Sequence, residues 1–254
     1  MKIQVLGCSG GISEGLKTTS LLINDSILVD AGTGIGDLPL EMLRKIKTVF
    51  ITHSHLDHIC GIPLLVDTIF DSLSSPLNVY GRPETIAALR KHIFNNVIWP
   101  DFTVIPVASK PVLKLNPVEV EKKVTVSGVG FELIPVNHII PACGYRISTK
   151  DKVLAFSGDT TTNDSFWRVL NDGPDLDMLI VEAAFPNSEL ELCRLAYHYC
   201  PELLAEDLKK LDHFPEIYLT HLKPGAEQRI FAECQQAITD RKLKQLLGGS
   251  VFHL

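Results

Sequence analysis

The stretch ITHSHLDHICG, residues 51–61, sets His53, His55, Asp57 and His58 within six positions, directly after a run that reads as a β-strand. Imidazole and carboxylate are the ligands that divalent metals of the zinc type favour. On an extended segment, side chains two apart face the same way, so His53 and His55 can address one ion. A turn at Leu56 then swings Asp57 and His58 toward a second. The alternative is a polar, solvated turn, and the rest of the chain decides between them. Four ligands this close serve two ions only if more arrive from elsewhere. Three candidates stand at the ends of strand-like runs: His138 in PVNHIIP, Asp159 in AFSGDT and His221 in IYLTHLKP. Each alone reads as a cap or a surface residue. Beside the compact cluster, they are what a shared site at a sheet edge requires.

Two such ions, about 3.5–4 Å apart, define the chemistry. A water held between them loses its proton near neutral pH and becomes a nucleophile, while the ions take up charge on an attacked phosphoryl or carbonyl group. The reaction class is metal-assisted hydrolysis. GCSGG at residues 7–11 then reads as a strand-to-loop glycine turn, not as a nucleophile motif. His198, in RLAYHYCPELLAEDL, lies outside the ligand set. A phosphodiester releases an alkoxide, a poor leaving group, and a positioned proton donor accelerates that step by about 10²–10⁴-fold. The bland reading of His198 is a surface histidine between two tyrosines.

The elements that must position these groups follow from periodicity. KIQVLG, SLLIND and SILVDAG read as strands, the last two around an Asn24–Asp25 turn. LPLEMLRKI has helical spacing and KTVFIT returns to a strand. GIPLLVDTIFDSL and RPETIAALRKHIFNN read as helices, the second with Pro83 suited to its first turn, and PLNVYG is a strand between them. The proline-punctuated section from Trp99 to Pro117 yields no assignment. In the second half, KVTVSGVGFELIPV and YRISTKDKVLAFSGD read as strands and hairpins, DSFWRVLN as a helix and LDMLIVEAAF as a buried strand. Residues 189–211 are helical with a break near Pro201. EIYLTHL is a strand, AEQRIFAECQQAI a helix and GGSVFHL a final strand. Strands early in each half, followed by helices, predict an α/β chain of sheets covered by helices, one domain over residues 1–254.

Composition bounds the function. Of 254 residues, 45% are apolar and 21% charged, as in globular proteins with a sizeable core. The net charge is −6 and the basic residues are dispersed, so the chain has no sequence-wide attraction for a polyanion and extended nucleic-acid binding would need a local basic patch. Six scattered cysteines without a C-x-x-C pair suit a reducing cytoplasm. No stretch has the length to cross a membrane, and the segment before VLGC is too short for a secretory signal. A cytoplasmic location is the expectation.

HSHLDH, with His138, Asp159 in GDT and His221, resembles the metallo-β-lactamase superfamily over most of the chain. The resemblance implies a four-layer αββα sandwich with two metal ions at one edge. His53, His55 and His138 would hold the first ion, Asp57, His58 and His221 the second, and Asp159 would bridge them. Zinc is the expected metal, and the nitrogen and oxygen donors suit manganese or iron too. Asp30 in VDAG matches a recurrent position of that family and equally suits a turn cap. More narrowly, HSHLDHICG, RKHIFNNVIWPDF, SGDTTTNDSFWRVL, VEAAFPNSEL, HYCPELLAEDL and IYLTHLKPG resemble the class II cyclic-nucleotide phosphodiesterases. That family's G-H-L-x-P keeps its histidine and proline here, as His198 and Pro201, with Tyr197 and Tyr199 in place of glycine and leucine.

NHIIPACGYRI, the GDT and the histidine after EAAF also resemble the tRNA 3′-processing endonucleases (RNase Z). Those enzymes insert a tRNA-gripping arm between the third metal histidine and the bridging aspartate. His138 and Asp159 are 21 apart, room for a hairpin only. The favoured implication is therefore a 3′,5′-cyclic-nucleotide phosphodiesterase, a homodimer acting on a small cyclic nucleotide such as cAMP, with no membrane or extended nucleic acid as partner. In-line attack by a bridging hydroxide would yield a 5′-nucleotide. His198 would protonate the departing 3′ oxygen and Glu182 would orient His198, with Asp57 counted among the catalytic groups as well as the ligands. An RNase Z-like nuclease, and a thioesterase or lactonase, are the alternatives. Phe94 and Trp99 either stack on the base or belong to the core.

Overall fold

A computed structural model describes residues 1–254. Its first sheet begins with β1 (Lys2–Gly7), β2 (Ser20–Ile23) and β3 (Ile27–Val29), paired antiparallel. Asn24 and Asp25 both take positive φ, 47° and 59°, the conformation a two-residue hairpin turn needs. The sheet then turns parallel through β4 (Thr48–Phe50) and β5 (Leu77–Gly81). After a small ribbon of β6 (Pro106–Val107) and β7 (Lys110–Pro111), β8 (Leu113–Pro117) pairs with β5. Parallel neighbours need crossovers. These carry α1 (Leu40–Leu43), α2 (Leu56–Ile59), α3 (Gly61–Ile69) and α4 (Pro83–Ala88).

The second sheet repeats the plan. An antiparallel meander of β9 (Lys123–Val126), β10 (Val129–Val136), β11 (Ala142–Ser148) and β12 (Val153–Phe156) comes first. Then β13 (Met178–Glu182), β14 (Glu216–Thr220) and β15 (Leu243–Gln245) add parallel strands. Their connections carry α5 (Ser165–Asn171), α6 (Leu190–Ala196), α7 (Pro201–Leu208) and α8 (Glu227–Ala237). Finally β16 (Val251–His253) returns to pair with β1.

Side-chain alternation assembles the layers. In β13, Met178 and Ile180 face the other sheet while Leu179 and Val181 face helices, so the strand reads as one apolar run. Between the sheets, 19 buried residues from both form one cluster, in which Phe50 stacks on Phe131 at 3.9 Å. Outside the first sheet, Val49 and Val79 pack with Ile62, Leu65 and Ile86 of α3 and α4. Outside the second, Leu179 and Ile217 pack with Trp167, Leu204 and Ile230 of α5, α7 and α8. The architecture is the expected four-layer αββα sandwich.

Some local expectations change. The helix of RPETIAALRKHIFNN is α-helical only to Ala88 and widens to a π turn over Leu89–Ile93. LPLEMLRKI holds a helix of just four residues. Phe94 is buried in the first sheet's helix-facing core and Trp99 packs against it, so the aromatic pair belongs to the core. No helix is long and apolar enough to cross a membrane.

Candidate metal centre

Strand carboxyl ends converge on one edge of the sandwich, where parallel sheets offer their crevice. The chain leaves β4 at Phe50, and His55 is the N-cap of α2, which turns Asp57 and His58 back toward the sheet end. His138 follows β10, Asp159 follows β12 and His221 follows β14. The turn out of β12 passes through Gly158 at φ +59°, and His221 itself sits at φ +60°.

These residues, distant in sequence, are close in space. The ligand-type atoms of His53, His55, His138 and Asp159 lie within 4.8 Å of one another, as do those of Asp57, His58, Asp159 and His221. Asp159 is common to both groups. His53 Nε2 is 3.0 Å from His55 Nδ1, which is 3.2 Å from His138 Nε2. His58 Nε2 and His221 Nδ1 approach the two oxygens of Asp159 at 3.2 and 3.3 Å. His53, His58, His138, Asp159 and His221 are buried, while His55 and Asp57 are partly open.

The groups behind the cluster fix which nitrogens face it. Asp30 is fully buried; its carboxylate accepts the Thr52 N–H at 2.8 Å, the Thr52 hydroxyl at 2.8 Å and His58 Nδ1–H at 2.7 Å. With its hydroxyl proton given to Asp30, Thr52 Oγ1 accepts His53 Nδ1–H at 3.0 Å. His138 Nδ1–H donates to the Tyr197 carbonyl at 2.9 Å. Each of these three rings therefore turns its Nε2 inward, and for His53 and His138 that atom is a bare lone pair. His58 Nε2 is buried and makes no well-aligned hydrogen bond, with an Asp159 oxygen 3.2 Å away. One proton between His53, His55 and His138 can satisfy one pair of nitrogens, whereas a cation satisfies all three. Ligands about 2.0–2.1 Å from a tetrahedral ion stand about 3.3 Å apart, close to the spacing seen here. The residues fit a metal.

Electrostatics agree. Burial holds His53 and His221 well below the ordinary imidazole value and pushes His138 down to about 4, so all three are neutral donors, as metal binding requires. His58 goes the other way: burial opposes its protonation, but Asp159 and Asp30 outweigh burial and raise it. For Asp159, burial favours the acid form, and His221 and His58 overturn it, holding the group well below the carboxylate range.

Beside the cluster lies a second buried pair. Glu182, fully buried at the end of β13, accepts His198 Nδ1–H at 2.7 Å. It also accepts the N–H groups of Thr160 at 2.8 Å and of Ala184 and Tyr199 at 3.2 Å each. The His198 ring stacks on His221 at 5.3 Å, near His138 at 5.0 Å. His198 is 7% exposed, which removes the surface-residue reading. Burial opposes its protonation, and Glu182 outweighs burial and raises its pKa. Sequence left the supporting part of Asp30 undecided and did not single out Thr52 or the Tyr197 carbonyl. The signal for Asp30 was present, since VDAG has the same strand-end aspartate followed by small residues as SGDT.

Comparison with known proteins bears on this arrangement. A probable 3′,5′-cyclic-nucleotide phosphodiesterase of Yersinia pestis is 26% identical over 280 residues, covering 89% of this chain and 79% of that protein. A ribonuclease Z of Prochlorococcus marinus is 34% identical over 169 residues, 60% of this chain and 51% of that protein, so the match spans about half of it. The solved structure of unliganded yeast PDE1 shares the fold, with a TM-score of 0.84 at 20% identity over 100% of this chain and 99% of that one. The family model described as the Beta-lactamase superfamily domain matches residues 25–222, which reach from the β2–β3 turn past His221 and take in every ligand-type residue of the cluster. The chain belongs to the β-lactamase superfamily of metallo-hydrolase folds.

Proposed function

We propose that the protein is a metal-dependent phosphodiesterase that hydrolyses 3′,5′-cyclic nucleotides to 5′-nucleotides. The observation that carries this reading is the Glu182–His198 pair, a buried histidine held at 2.7 Å by a carboxylate, stacked on His221 and outside both ligand groups. An acyl hydrolase expelling a thiolate has no use for a proton donor there, whereas the 3′ alkoxide of a ribose does. The name of the Yersinia pestis relative supports the same substrate class.

His53, His55 and His138 would hold one divalent ion, and Asp57, His58 and His221 a second, with Asp159 shared. Zinc suits these donors, as do manganese and iron. When bound, the ions supply Lewis acidity toward the phosphoryl oxygens and lower the pKa of a water they hold. The chain's own residues position and protonate. Asp30 and Thr52 lock the rings of His58 and His53, and the Tyr197 carbonyl locks His138. Glu182 takes up His198 Nδ1–H, so Nε2 is the atom from which a proton reaches the departing 3′ oxygen. Three backbone N–H groups keep Glu182 from turning away. Asp57, at 34% side-chain exposure against 4% for Asp159, is the carboxylate more open to substrate.

A second reading, an RNase Z-like nuclease, is favoured by the 34% identity to the Prochlorococcus marinus protein. Against it, the chain between His138 and Asp159 is taken up by β11 and β12, and the net charge is −6. Metal-loaded protein given a panel of cyclic mononucleotides, with a precursor tRNA in parallel, should release 5′-monophosphates and leave the RNA intact. His198→Ala should lower kcat on a cyclic nucleotide by about 10²–10⁴-fold but spare a p-nitrophenyl phosphodiester, whose leaving group needs no proton. Equal losses on both would remove His198 as the donor, and no turnover of any cyclic nucleotide would end the reading.

A further inference from the structure

We propose that Lys223 is a specificity-determining residue that binds a phosphoryl oxygen of the substrate and of the 5′-nucleotide product. This inference rests on the phosphodiesterase reading. Lys223 lies two residues past His221, and its backbone N–H bonds the Ala184 carbonyl at 3.1 Å, which pins it beside the end of β13. Its Nζ donates to the Gly10 carbonyl at 2.7 Å and stands 5.6 Å from the centre of the Phe185 ring. That ring meets His198 edge-on at 5.7 Å. Gly10 in turn presses on His221, where a Cβ would come within 2.4 Å of the His221 carbonyl oxygen and 3.1 Å of its ring carbon Cδ2. The ammonium thus borders the residues around the leaving-group histidine.

Its chemistry there is incomplete. An ammonium has three donors. One is taken by a neutral carbonyl, no carboxylate pairs with Lys223, and the residue is half-buried. A partly desolvated cation next to a cage for two dications is repelled until an anion arrives. The phosphoryl group of a cyclic nucleotide carries one negative charge and that of the 5′-nucleotide two at neutral pH. A thioester or lactone carbonyl carries none. Lysine is a point-charge binder of phosphate, so the two remaining donors select phosphoryl over acyl substrates.

The test is calorimetric binding to metal-loaded protein, with 5′-AMP and uncharged adenosine as probes. Lys223→Gln keeps a donor for the Gly10 carbonyl and removes the charge, while Lys223→Arg keeps the charge. The Gln variant should weaken 5′-AMP about ten- to hundredfold, the worth of a charge-assisted hydrogen bond, and leave adenosine unchanged within about twofold. The Arg variant should stay within about threefold of wild type for 5′-AMP. The inference is overturned if the Gln variant binds 5′-AMP as wild type does, or loses adenosine equally. Loss of fold or of bound metal in both variants also overturns it, assigning Lys223 to stapling the Gly10 loop. Binding is read apart from turnover. Charge-dependent 5′-AMP binding in a wild-type protein that hydrolyses no cyclic nucleotide supports the lysine site and sinks the proposed function; turnover without that dependence does the reverse.

Discussion

Asp30 touches no position where substrate would sit, yet the orientation of two ligand rings depends on it. Its carboxylate takes His58 Nδ1–H directly at 2.7 Å and reaches His53 through the Thr52 hydroxyl. Partners behind a ligand fix its tautomer and raise its basicity, and their loss typically weakens metal binding about 10–100-fold. Asp30→Ala should therefore release metal to a competing chelator at correspondingly lower chelator concentration, with the Thr52 N–H left without its acceptor. Unchanged affinity would mean that backbone packing alone orients His58. The cluster itself was legible because seven ligand-type side chains at strand ends form a pattern few other constraints produce. Its support was less so. A single aspartate serves equally as a cap or as a buried acceptor, and only the fold, by bringing Asp30 against Thr52 and His58, separates the two. The Tyr197 carbonyl leaves no mark in sequence, because every residue offers the same backbone acceptor.

The loop carrying His198 is held by the helix that follows it. Asp207, buried on α7, accepts the Tyr199 hydroxyl at 2.6 Å, the Trp167 indole N–H at 3.2 Å and the Asn163 N–H at 2.8 Å. It also pairs with Lys210 at 2.8 Å. One side chain thereby joins α7, α5, the segment after Asp159 and the residue next to His198. Asp207→Ala strands two buried side-chain donors as well as a backbone one, and should cost about 3 kcal/mol, read as a lower urea midpoint. If the midpoint stays within error of wild type, water or a shifted neighbour satisfies those donors. Elements of this kind, long and periodic, were readable: α8 and the both-faces-buried β13 stand where their patterns predict. β15 was missed because it is three residues, LKQ, in a charged context at a sheet edge, held by pairing with β14 and not by any apolar run of its own. β8 was hidden among prolines, which are compatible with a strand that needs only one hydrogen-bonded neighbour.

Across the whole molecule, the cluster draws ligand-type groups from both sheets. His53, His55, Asp57 and His58 come from the first, and His138, Asp159 and His221 from the second. An ion bound there spans the seam between the two halves. Any ligand that binds the native chain and not the unfolded one stabilises by RT ln(1 + [L]/Kd), about 4 kcal/mol at a thousandfold excess over Kd. For a chain of this length each kcal/mol moves Tm by about 2–4 °C, so stripping the metal should lower Tm by about 8–16 °C. The inter-sheet core does not depend on the ion, since Phe50 on Phe131 and the residues around them close that layer without it. The stripped protein should accordingly stay folded at room temperature and recover its Tm when zinc is restored. Asp30→Ala should start lower and fall by less on chelation, because part of the metal's contribution is already gone. Thermal melts of both proteins, each with measured metal content, decide the matter: a Tm indifferent to verified metal loss would show that these seven side chains do not grip an ion across the seam.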